Sequence, residues 1–76
     1  MKVRKGRIYR FRACLIDIAD RRANTPANGT LVRVCHPHGC PPPNTMGHCH
    51  VETLDGEFIG LVACNSLMLA GKGEVR

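Results

Sequence analysis

The sequence predicts a single small all-β domain of five short strands, and three observations lead there. Apolar and polar residues alternate with a period of two in several separate stretches. The turn dipeptides Asn28-Gly29 and Asp55-Gly56 stand beside those stretches. No apolar pattern of helical spacing is long enough to support a helix of its own.

Taken in order, Gly6 to Ala13 is the first strand, with Tyr9 and Phe11 turned inward and Arg10 and Arg12 sharing the outer side. Cys14 to Ala23 is ambiguous. Leu15, Ile18 and Ala19 have helical spacing but Ile16 does not, and a strand that peels into a loop fits equally. Asn24 to Gly29 is a turn. Thr30 to Cys35 is the cleanest strand, with Val32 and Val34 facing the core and Leu31, Arg33 and Cys35 facing out. Loop signals fill Pro37 to Gly47. In the strand from His48 to Leu54, Cys49, Val51 and Thr53 fall on the core side, and His48, His50 and Glu52 on the wet side. Asp55-Gly56 joins it to the strand Glu57 to Ala63, where Gly60 marks a bulge or sharp bend. Cys64 to Leu67 reads as one tight helical turn, and Met68 to Ala70 as a last short strand. Nothing indicates a repeat, a linker or a second domain, so residues 1–76 are one unit.

This order of elements resembles an SH3-like small β-barrel. The strands paired around Asp55-Gly56, and the segment Leu61 to Met68 (LVACNSLM) after them, carry the resemblance. It implies a five-stranded barrel whose final strand follows a single 3-10 turn. An OB-like five-stranded barrel is the neighbouring alternative. The chain has no tryptophan and no ALYDY-like segment, so the aromatic groove of proline-binding SH3 domains has no counterpart here.

Composition limits the function classes. With only Tyr9, Phe11 and Phe58 as aromatics, the core must come mainly from aliphatic residues, and a chain of 76 residues buries little area. Self-association into a homo-oligomer is the expected supplement. The basic start, MKVRKGRIYR, lacks an apolar signal core, and no apolar run approaches the roughly 18 residues of a membrane span. Five cysteines, an odd number without framework spacing, suit reduced thiols, and the expected compartment is the cytoplasm.

Charge is distributed unevenly within the net +5. Residues 1–33 carry nine lysines and arginines against Asp17 and Asp20, a balance of +7, while residues 34–76 balance at −2. A face formed by the first part would attract nucleic acid or an acidic protein. Arg7, Arg10, Arg12, Arg21, Arg22 and Arg33 are the expected phosphate contacts. With so few aromatics, base stacking on single strands is not expected, and weak, salt-sensitive binding to duplex or RNA is.

The densest chemistry lies between Cys35 and His50, CHPHGCPPPNTMGHCH. It contains all four histidines and three of the cysteines. Strand parity puts His48 and His50 on one side, with Cys35 outward on the neighbouring strand and Cys40 in the connecting loop. Those four residues form a candidate tetrahedral zinc set, although Cys-x4-Cys followed by His-x-His is not a standard zinc spacing. A zinc-stabilised interaction domain is therefore the alternative to a polyanion binder; no other cofactor is expected. The three prolines Pro41 to Pro43 stiffen the loop. Adjacent strand residues such as Cys35 and His36 point to opposite faces, and no HExxH, CxxC or Gly-rich phosphate loop is present. No catalytic residue is assigned.

Overall fold

The computed structural model describes residues 2–19 and 25–70. Arg21 and Arg22, two of the expected phosphate contacts, lie outside them. The described elements are β1 (Ile8–Phe11), α1 (Leu15–Ala19), β2 (Leu31–Cys35), β3 (His48–Glu52), β4 (Phe58–Ala63), a 3-10 turn (Cys64–Ser66) and β5 (Leu67–Leu69). All five strands belong to one antiparallel sheet in the order β4-β3-β2-β1-β5. The sheet is not closed, so β4 and β5 are its edges.

Alternation builds the core as the sequence implies. Tyr9 and Phe11 of β1, Val32 and Val34 of β2, Cys49 and Val51 of β3, and Val62 of β4 are all buried. Val3, Cys64 and Leu67 complete the cluster, with Ala13 and Ile59 against its margin. The intervening residues turn outward. In register across that outer face, Arg33 stands between Ile8 and Glu52, and His50 stands between Cys35 and Leu61.

The connections follow local chemistry. The β3–β4 hairpin is a three-residue loop: Gly56 N–H donates to Thr53 O at 3.0 Å, and Thr53 N–H donates to Glu57 O at 2.8 Å. Gly56 takes the left-handed conformation at φ 90°, which closes a type I turn into a hairpin. The ladder then slips between Val51 and Glu52, leaving Ile59 as the extra residue beside Gly60 at φ 138°. This is the expected bulge, at a backbone angle few residues other than glycine tolerate.

The ambiguous segment resolves into one turn of helix with inverted polarity. Asp17 is 2 % exposed, whereas Leu15 is 83 % exposed and Ile16 and Ile18 also face solvent. Asp17 Oδ1 accepts from Ala63 N–H at 2.7 Å, and Ser66 Oγ donates to Asp17 Oδ2. The Ser66 hydroxyl also accepts from Cys14 N–H at 3.2 Å. The helix is held by satisfying polar groups at the β4–β5 corner, not by an apolar face. Removing the carboxylate leaves a buried N–H and a hydroxyl without their acceptor. Asp17→Ala is expected to lower the unfolding free energy by about 1.5–3 kcal/mol, read from urea denaturation; an unchanged midpoint would refute this role.

Candidate functional site

The residues before β1 form an ordered arm. Val3 is buried, and its backbone is clasped by one side chain: Val3 N–H donates to Asn44 Oδ1 at 2.7 Å, and Asn44 Nδ2 donates to Val3 O at 2.9 Å. Asn44 sits at φ 73°, a left-handed conformation that asparagine tolerates better than most residues. Farther along, Arg4 N–H donates to the Tyr9 hydroxyl at 3.0 Å, and Gly6 N–H donates to Val34 O at 2.7 Å. With its backbone fixed this way, the arm leaves Lys2, Arg4, Lys5 and Arg7 exposed.

The expected arginines divide. Arg7 and Arg12 are exposed. Arg10 donates to Gly29 O at 2.9 Å and so braces the turn before β2. Arg33 pairs with Glu52 at 3.3 Å and reaches Leu54 O at 3.4 Å. An arginine engaged by a carboxylate has part of its field cancelled, so Arg33 contributes less to an anion site than the arm cations. Lys2, Arg4 and Lys5 were missing from the sequence-derived set, although KVRKGR places four cations in six residues. The described acidic residues offer the arm little competition. Asp17 is buried, Glu52 is paired with Arg33, and Asp55 and Glu57 lie at the β3–β4 hairpin.

Beside the arm, the proline loop folds over the outer face of β3 and β4. Together they enclose a cavity of about 300 Å³ lined by Pro41, Pro42, Thr45, Met46, His48, His50 and Leu61. Thr45 holds the loop's bend, its N–H and hydroxyl both donating to Pro42 O at 3.3 and 2.7 Å. Met46 adopts φ 52°, strained for a side chain of its kind, and stands 92 % exposed at the rim. Its carbonyl lies 3.0 Å from His48 Nδ1. A carbonyl only accepts, so that ring nitrogen carries the proton. The His50 ring stacks on Phe58, with centroids 6.0 Å apart and planes inclined by 23°.

The zinc set is not gathered. Cys35 and His50 are register partners, and His48 and His50 share the cavity floor. Cys40 is held through its backbone: its N–H donates to Pro37 O at 3.1 Å, and His36 Nε2 donates to its carbonyl at 2.9 Å. Among the described residues, no three His, Cys, Asp or Glu side chains are arranged to hold a metal ion. Burial, reinforced by Glu52, also pushes the Cys35 thiol up, while Lys5 opposes that shift. This is the opposite direction from an activated nucleophile. Burial next to Cys64 raises the Cys49 thiol strongly as well.

Two measurements test this geometry. Asn44→Gly keeps the backbone angle but removes the clasp. It is expected to abolish hydrogen-exchange protection at the Val3 amide and to cost about 1–3 kcal/mol for the two bonds; retained protection would show that the arm is fixed by other contacts. Alkylation of Cys35 and Cys49 near about pH 8 is expected to be slower in the native protein than in the urea-unfolded chain, because raised thiols hold less thiolate. Equal rates at Cys35 would contradict its placement against Glu52.

Set against known proteins, the chain matches no family model, no curated protein and no solved structure.

Proposed function

We propose that the chain is a small SH3-like barrel module that binds a polyanion, most simply the backbone of a nucleic acid, along its N-terminal arm. One observation carries the reading: Lys2, Arg4, Lys5 and Arg7 are exposed on a backbone already fixed by Asn44, Tyr9 and Val34. Fixed cations lose less conformational freedom on binding than a disordered basic tail does. Their combined field also steers anions toward this end of the sheet. Arg12 supplies a further exposed cation from the far end of β1. The barrel reading is supported by the strand order β4-β3-β2-β1-β5 and by the 3-10 turn that leads into β5.

Such binding is carried by charge and therefore weakens with salt. Titrating a labelled oligonucleotide at about 50 and about 200 mM salt should show affinity falling steeply as counterions return to the phosphates. Replacing Arg4 and Lys5 by glutamine should flatten the log–log salt slope by about 1.4–1.8, the loss of two phosphate contacts. Absence of binding at the lower salt would dispose of the reading, and binding with an unchanged slope in the double variant would move the site off the arm.

A further inference from the structure

From the cavity beside the arm we infer that the polyanion is a single-stranded nucleic acid, and that one of its bases seats between the proline loop and the face of His50. The inference rests on the arm reading and adds to it a reason for choosing single strands over duplex.

Arm and cavity are neighbours by construction. Asn44, which clasps Val3, is followed in the chain by Thr45 and Met46, which line the cavity. On the other side, Lys5 is close enough to influence the Cys35 thiol, and Cys35 stands opposite His50 in the ladder. A strand whose phosphates follow the arm therefore passes the cavity mouth. A volume of about 300 Å³ lies at the bottom of the range for ligand sites, enough for one heterocyclic ring system.

The lining suits a base. Pro41, Pro42, Met46 and Leu61 present apolar surface to its faces. The His50 imidazole is a stacking surface, and Phe58, 56 % exposed, extends that π surface beyond it toward solvent. Unstacked bases are held on such aromatic and imidazole rings in single-strand recognition, and each stacked base contributes regardless of sequence. His48 donates its Nδ1–H to Met46 O, which leaves its Nε2 as an acceptor only, so of the two histidines on the cavity floor the His50 ring can both donate to and accept from a base edge. A base in a duplex is stacked on both faces and paired at its edge, so it cannot enter without first being extruded. The scarcity of aromatics in the sequence is offset by position, since the third aromatic residue and a histidine share the outer face.

The experiment compares three probes of about ten nucleotides by fluorescence anisotropy: a single strand, an abasic strand with the same phosphates, and a duplex. The wild-type protein is expected to bind the base-bearing strand about 5- to 150-fold tighter than the abasic one. His50→Ala should reduce that ratio to within about twofold, with an unchanged urea-unfolding midpoint reporting that the variant is folded. Phe58→Ala, at an exposed position, should lower the ratio part of the way. Equal wild-type affinity for the base-bearing and abasic strands would overturn the base seat and leave the arm reading intact. Failure to bind any probe would overturn both. Tighter binding of the duplex, or binding of an acidic polypeptide of matched charge as tight as that of the single strand, would overturn the choice of ligand.

Discussion

A buried carboxylate holds the corner on which this sheet depends. Asp17 accepts from the last N–H of β4 and from the Ser66 hydroxyl, and Ser66 in turn accepts from Cys14 N–H. Two segments distant in sequence meet in those bonds: Cys14 and α1 after the end of β1, and the end of β4 with the 3-10 turn that leads into β5. β5 is only three residues long and, among the described residues, pairs with β1 alone. A strand so short contributes little pairing of its own, so its position is fixed largely by the turn before it. Burying a polar carboxyl group is costly unless it is hydrogen-bonded, and both Asp17 oxygens have a partner at this corner.

A second polar bridge couples the arm to the proline loop. Asn44 substitutes for a strand partner by offering Val3 both an acceptor and a donor, so the arm is ordered without belonging to the sheet. The bridge explains why the cations and the cavity can belong to one surface. It also explains how a long loop rich in proline keeps a defined shape: Pro41 to Pro43 restrict the approach, and Asn44 anchors the return. On the opposite end of β3, the pairing of Arg33 with Glu52 fastens β2 to β3 and leaves the arm as the stronger source of positive field.

How much of this could be read in advance depended on the range of each interaction. Inward and outward faces were legible at Tyr9, Phe11, Val32, Val34, Cys49 and Val51, because a strand's period of two is a local property. The bulge at Gly60 and the single turn after Ala63 were legible for the same reason. The inverted helix was not. Leu15, Ile16 and Ile18 look like core residues until Asp17 finds a backbone N–H 46 positions away. The clasp between Asn44 and Val3 spans 41 positions and has no pattern at either end. Parity also placed His48 and His50 on one side, but it could not show which part of the loop would cover them. Prolines and a methionine stand there, and His48 and His50 line a mostly apolar cavity with them.

The slip beside Gly60 bears on how an open sheet resists edge-to-edge addition. A flat edge strand offers its free amides and carbonyls to any passing copy, and growth by edge addition leads to aggregates. β4 is one such edge, and the extra residue at Ile59 bends it out of the straight register that a second copy would need. β5, the other edge, offers only three residues. Replacing Gly60 with a strand-forming residue would thus favour edge-to-edge aggregation, because a straightened β4 would become a template.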